Sequence, residues 1–327
     1  MKASQSPSIH TKLGTDPKKG WLGVVLLLAL SIVLSLFLHL NWDQAQLILT
    51  ELRLPRVVTS IAVGGILGLS GVILQTLLAN PLSEPYTLGI ASGAALGAAV
   101  TTSLKGMINV LGLNLGAIVG AGLVLMVLIA IVKKSSSLGE SLILFGVMIS
   151  FFCSGLLAVW MALADPVGVQ SITFWLLGDL SRVEIKTAAT LMSMLFIAAI
   201  YFYKKALVLD AFLFGPNWVE TFGVNRNHEL RQGVFIVSII IGAAVSAVGM
   251  IGFVGLVIPH FSRMAVGSRH RALIPFSVIL GSASLTASDT LARTLSYPHE
   301  LPVGAITSVL GAPILMYLLM NRKRGWS

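Results

Sequence analysis

The sequence predicts an all-α, polytopic membrane protein with about ten spanning helices and both termini in the cytoplasm, and three observations predict it. Hydrophobic residues make up 56% of the 327 positions and charged residues only 11%, whereas a soluble domain carries about a quarter charged residues to cover its surface. Apolar runs of spanning length follow one another with breaks too short to hold a separate water-soluble core. Lys and Arg gather in alternate breaks, as the positive-inside rule requires.

Residues 1–20 are polar and basic (Lys12, Lys18, Lys19) and read as a cytoplasmic tail. The apolar run Trp21–Leu40 is too long for a signal-peptide core and no small-x-small cleavage site follows it, so it stays as the first span. Further spans are expected near 57–78, 86–104, 110–132, 141–163, 186–203, 232–250, 251–266, 272–292 and 303–320, all within one membrane domain over 21–327. Near residue 250 the run is interrupted by Gly249, Gly252, Gly255 and Pro259, which predicts a short or broken helix there.

With the N-terminus inside and ten alternating spans, sixteen of the 22 Lys and Arg fall in the cytoplasm, and six (Arg53, Arg56, Lys105, Arg182, Lys186, Arg293) fall outside. The formal charge of +9 therefore describes topology; scattered clusters without an aromatic-interleaved basic face exclude nucleic acid as a partner. Cys153 is the single cysteine, so no internal disulfide forms. Gly64 with Gly68, Gly93 with Gly97, and Gly116 with Gly120 stand four apart on one helical face, the pattern that lets helix backbones approach closely in lipid.

The chemistry of catalysis is missing. There is no G-x-x-x-x-G-K-[ST] loop, no H-E-x-x-H and no Cys/His ligand cluster, so the chain is expected to be no enzyme and to hold neither cofactor nor metal. The acids sit in loops or at helix ends except Asp289, four residues before Arg293, where an i,i+4 pair satisfies both. An ion-coupled transporter would place carboxylates at mid-membrane, so the energy source lies outside this chain. The longest inside interruption, 204–231, contains Ala211–Val224, which can form a short helix between Pro216 and Gly223. Such a helix serves either as a docking surface or as an interfacial helix resting on the bilayer through Phe212, Phe214, Trp218 and Phe222.

Six blocks then carry a resemblance: Leu52-Arg-Leu-Pro-Arg56, Gln75-x4-Asn80-Pro-Leu-x-Glu-Pro85, Leu88-Gly-Ile-x-Ser-Gly93, Gly252-Phe-Val-Gly-Leu-Val-Ile-Pro-His260, His270-Arg-x-Leu-Ile-Pro275, and Glu300-Leu-Pro-Val-Gly304 through Gly311-Ala-Pro313. In this order, over about residues 50–320, the chain resembles the permease subunits of binding-protein-dependent ABC importers for iron–siderophores, haem and cobalamin. The resemblance implies a homodimer around a central pathway in the bacterial inner membrane, surrounded by lipid. Two cytoplasmic ATP-binding subunits, which hold the ATP and Mg, would drive it, and an extracytoplasmic substrate-binding protein would feed it.

The resemblance also implies roles for residues. Arg53, Arg56 and Arg293 would face carboxylates of the binding protein, and guanidinium forks suit that task. Gly215, Glu220, Thr221, Phe222 and Gly223 would couple to the ATPase, although Pro216 and Trp218 depart from the pattern. Asn80 and Leu82, with Gly139 and Glu140, would form the cytoplasmic gate; Glu140 stands where a small neutral residue is expected. His260 reads as a residue that bonds freed backbone carbonyls at a helix break rather than as an iron ligand, and Trp160 and Trp175 as interface anchors. An ion-coupled secondary transporter and a membrane scaffold are the competing readings; uptake driven by an ion gradient without ATP would favour the first.

Overall fold

The computed structural model describes residues 17–38, 45–103, 110–134, 138–181, 183–215, 218–297 and 299–320. Its helices are α1 (Pro17–Phe37), a three-residue turn α2 (Ala45–Leu47), α3 (Leu54–Leu77), α4 (Ile90–Thr102), α5 (Val110–Lys134), α6 (Leu138–Leu163), α7 (Pro166–Leu176), α8 (Ile185–Lys204), α9 (Ala206–Ala211), α10 (Arg226–Val248), α11 (Val254–Val266), α12 (His270–Thr294) and α13 (Val303–Met320). Every expected span has its helix. Seven helical segments are long and apolar enough to cross a membrane; those over Ile90–Thr102, Val254–Val266 and Val303–Leu318 are shorter.

A π-helical turn, Ile48–Arg53, runs straight into α3, so Arg53 and Arg56 stand on a continuous helical segment rather than in a loop. From Pro55 to Leu77 nearly every residue of α3 is buried, which makes it the central helix. Its main neighbour is α12, antiparallel to it, and the seam is built of small and hydroxylated residues. The Ser60 and Thr286 hydroxyls are bonded at 2.8 Å, Ser282 Oγ donates to the Ile61 carbonyl at 2.7 Å, and Gly64 lies against Gly281. A Cβ on Gly64 would sit 2.4 Å from the Gly281 carbonyl oxygen. The α4–α5 hairpin repeats the device: a Cβ on Gly97 would lie 2.1 Å from the Gly116 oxygen, and one on Gly120 2.0 Å from the Gly93 oxygen. The spaced glycines are thus the contact faces of two antiparallel helix pairs, as the sequence predicts.

This geometry makes a direct prediction. A methyl group on Gly71 would lie 1.9 Å from the Gly255 oxygen on α11, whereas one on Gly122 would meet nothing within 4 Å. Gly71→Ala should destabilise the protein by about 1–3 kcal/mol through overpacking, and Gly122→Ala should gain up to about 1 kcal/mol from helix propensity. Thermal unfolding of the two variants in detergent micelles checks the contrast, and equal melting temperatures would contradict it.

α4 and α11 are 13 residues each, about 20 Å long, against a hydrocarbon core of about 30 Å. Each starts inside the bundle after a residue with positive φ, Gly89 at 76° and Phe253 at 67°. Between α10 and α11 the chain is non-helical, and its backbone is satisfied by the protein: Tyr86 Oη accepts from Ile251 N at 2.7 Å and donates to Ile251 O at 2.9 Å. Beside this break run two other irregular stretches, where Asp179 N donates to Val248 O at 2.8 Å and Gly304 N to Leu177 O at 3.0 Å. Irregular backbone at membrane depth is tolerated only with such internal partners. Trp175 belongs to this knot. It is buried, and the backbone at Gly249 packs against its carbonyl, so it is a packing residue rather than the interface anchor expected from sequence. Trp160 donates Nε1–H to Ser103 Oγ at 2.6 Å.

Candidate functional site

At the end of the bundle where α3 begins and α12 finishes, the three arginines named from sequence come together around two carboxylates. Arg56 grips Asp289 with two guanidinium nitrogens, Nε at 3.0 Å and Nη2 at 2.8 Å from Oδ1, and reaches Glu300 Oε2 with Nη1 at 2.8 Å. Arg293 lies 3.4 Å from Asp289 Oδ2, the expected i,i+4 pair, and donates to Ser35 Oγ on α1 at 2.6 Å. Arg53 donates to the Leu36 carbonyl. Asp289 is fully buried, the Arg56 and Arg293 side chains are 11% and 14% exposed, and Glu300 is 49% exposed. Much of the charge at this end is therefore spent inside the chain, tying α1, α3 and α12 together. The sequence pairs Asp289 with Arg293 locally but gives no sign of Arg56, 233 positions away. Glu300 opens the Glu300-Leu-Pro-Val-Gly304 block, and nothing in that block marks it as a partner of Arg56.

At the opposite end, Asn80 and Leu82, expected at the gate, sit in the turn after α3. Asn80 Oδ1 accepts from Leu82 N at 2.9 Å, Ala79 has φ 49°, and the Leu82 side chain is exposed. Gly139 and Glu140 lie in the first turn of α6, but their side chains fall outside the described residues. α6 meets this region through Gly146, where a Cβ would be 2.2 Å from the Thr87 oxygen.

The segment between α8 and α10 is not one short helix. It consists of α9, a 3-10 turn at Phe212–Phe214, and a second 3-10 turn at Glu220–Phe222; Pro216 lies outside the described residues. Gly215 (φ 97°) and Gly223 (φ 75°) stop each turn, because only glycine holds such a backbone without strain, and a helix cannot pass through it. Val219 is fully buried and anchors the segment, while Phe214, Trp218 and Phe222 are 65%, 60% and 57% exposed, with the Phe214 and Phe222 rings 5.4 Å apart. Three exposed aromatics on a braced loop form a patch that a partner can cover. The brace is Lys205, whose ammonium donates to Glu229 Oε2 at 2.6 Å and to Gln232 at 2.9 Å. Burial lowers the Lys205 pKa, but Glu229 and Tyr201 outweigh it and hold the ammonium above its usual range.

Sequence reasoning missed His270. It is fully buried, and bonds Asp210 of α9 and Thr76 of α3 through its two ring nitrogens. His260 is partly exposed on α11. Among the described residues no group of His, Cys, Asp and Glu can hold a metal. A cleft of about 580 Å³ between α1, α11, α12 and α13 is apolar, with Val257, Phe261, Leu280 and Ile314 on its walls and no titratable side chain.

Among the described residues, seven helices of spanning length and three shorter apolar ones, with internally satisfied irregular backbone between them, define a multi-pass membrane protein. Residues 21–321 match the model of the FecCD transport family, and the chain belongs to that family. It is 33% identical to the hemin transport system permease protein HmuU of Yersinia pestis, over 84% of this chain and 83% of that one. Against the vitamin B12 import system permease protein BtuC of Vibrio cholerae the identity is 31%, over 84% of this chain and 83% of the other. A solved transporter described as of the metal-chelate ABC type, in an inward-facing conformation, superposes with a TM-score of 0.83 at 29% identity, covering 94% of this chain and all of that one. The chain is accordingly an ABC-importer permease of the inner membrane, and the family implies that ATP is hydrolysed on a separate subunit and that a binding protein delivers the cargo.

Proposed function

We propose that two copies of this chain, set in lipid, form the translocation pathway of an importer for an iron chelate, siderophore or haem, or for cobalamin, and that the chain has no enzymatic activity of its own. The observation that carries the reading is the match of residues 21–321, nearly the whole chain, to the family model, together with relatives that carry hemin and vitamin B12. The end bearing Lys204, Lys205, Arg226, Arg231, Arg269 and Arg271 is cytoplasmic by the positive-inside rule. Its aromatic patch, with Gly215, Glu220, Thr221, Phe222 and Gly223, receives the ATPase, which brings the ATP and Mg. Asn80 and Leu82, with Gly139 and Glu140, close the pathway on that side. The rim of Arg53, Arg56 and Arg293 receives the extracytoplasmic binding protein. Asp289, the acid an ion-coupled transporter would need within a span, is neutralised by Arg56 and Arg293.

The test is reconstitution in liposomes with the ATPase and binding protein, offering haemin, cobalamin and a ferric hydroxamate separately. One of them should accumulate only with ATP and both partners; accumulation driven by a proton or sodium gradient alone would sink the reading. For the rim, Arg53→Glu is the cleaner variant, since reversing Arg56 or Arg293 also breaks a buried ion pair. It should weaken binding-protein affinity severalfold at low salt and less at high salt, and an unchanged affinity would count against docking there.

A further inference from the structure

The buried His270 sits where three elements with different tasks meet. It is the first residue of α12, and the Asp210 carboxylate on α9 accepts both from its backbone N–H at 2.8 Å and from its ring Nδ1 at 2.7 Å. The other ring nitrogen, Nε2, is bonded to Thr76 Oγ1 at 2.9 Å, and Thr76 Oγ1 in turn lies 2.8 Å from the Val72 carbonyl. Both edges of the imidazole are held, so the ring has no free rotation. Asp210 thereby caps α12 from outside the helix, with its negative charge at the positive helix end.

Each end of this chain of bonds leads to a place already described. Asp210 precedes by one residue the end of α9, from which Phe212–Phe214 and the exposed aromatic patch continue. Thr76 lies in the last turn of α3, and its carbonyl accepts from Ala79 N at 3.3 Å, at the start of the turn that carries Asn80 and Leu82. Both connecting bonds run side chain to side chain, and the middle residue is fully buried. In a low-dielectric setting such bonds are strong and costly to leave unmade, so the three residues move as one body or separate as a discrete event.

We propose that Asp210, His270 and Thr76 form a strut that carries displacement of the ATPase-contact segment to the gate turn after α3, His270 being a positioning residue for transport. The proposal rests on the reading of Phe214, Trp218 and Phe222 as the ATPase contact. The strut does not hold the ATPase and does not hold cargo. Its removal uncouples two motions while leaving both ends intact.

The experiment uses the full chain assembled with its ATPase subunits, with a spin label at Leu82→Cys in a Cys153→Ser background. The label-to-label distance between the two copies is read by pulsed EPR with and without ATP and vanadate. In the parent assembly ATP should shift the distance distribution. In Asp210→Ala and Thr76→Val the fraction of molecules that shift should fall about tenfold, with ATP hydrolysis and subunit association within about twofold of the parent. Asp210→Asn, which keeps an acceptor oxygen, should restore part of the shift, a rescue that a purely structural role does not require. Thr76→Val keeps shape and volume, so it reports even where a larger change prevents folding. An unchanged shift in both variants, with association intact, overturns the strut alone, and so does a parallel loss of association and shift. Retained ATPase association after Trp218→Ala and Phe222→Ala together overturns the contact reading, and the strut with it.

Discussion

Replacing Asp289 with alanine should cost about 3–5 kcal/mol of stability, because it removes one partner of a buried ion pair and leaves the rest. Two guanidinium groups depend on that one carboxylate: Arg56 through bonds of 2.8 and 3.0 Å, and Arg293 through a contact of 3.4 Å. Glu300 can offset only part of the loss, since it is half exposed and pairs with Arg56. Asp289→Asn keeps an acceptor oxygen but loses the charge, and should fall between the parent and Asp289→Ala. The double variant Arg56→Met with Asp289→Leu removes both partners of the strongest pair and should recover a large share of the loss, as buried pairs replaced by apolar groups commonly do. Chemical denaturation in mixed micelles measures the series. Equal stability of Asp289→Ala and the parent would show that the pair is solvated, and a double variant worse than both singles would show that the charges themselves are required.

How much of this was legible in the sequence depends on the range of the interaction. The spans were legible because lipid selects long apolar runs, and the glycine seams because i and i+4 share a helical face. The Asp289–Arg293 contact was legible for the same local reason. The docking role of Arg56 follows only from the family resemblance, and nothing local shows that α12 returns antiparallel to place a carboxylate against it. α4 begins later than hydropathy indicates, because hydropathy does not mark where a helix starts within the membrane, whereas the short α11 is expected from Gly249, Gly252, Gly255 and Pro259. The exact starts are set by the positive-φ residues Gly89 and Phe253, and phenylalanine carries no sequence signal for such a conformation. The residues of the 211–224 segment permit one helix, but Gly215 and Gly223 turn the backbone into regions that a helix cannot cross. His270 lies within a block shared with the family, yet its partners stand 60 and 194 positions away.

Tyr86→Phe should be the second large loss, and its cause differs from that of Asp289. The hydroxyl serves both polar groups of Ile251, accepting from its N–H at 2.7 Å and donating to its carbonyl at 2.9 Å. Ile251 is buried in the break between α10 and α11, where neither helix supplies a partner. Deleting one oxygen atom leaves both groups unpaired in an apolar interior, at about 1–3 kcal/mol each, while the ring and its packing stay. The break is also where the 85–88 turn, α4 and α11 are fastened together, since Pro85 packs against Gly255. Loss of stability should therefore come with local loosening rather than uniform softening. Hydrogen exchange followed by mass spectrometry should show faster exchange in peptides covering 249–255 and 84–90, with α3 and α12 protected as in the parent. Uniform acceleration across all helices would place the effect in global unfolding, and unchanged exchange in both peptides would show that water already reaches Ile251 and that the break lines an aqueous path.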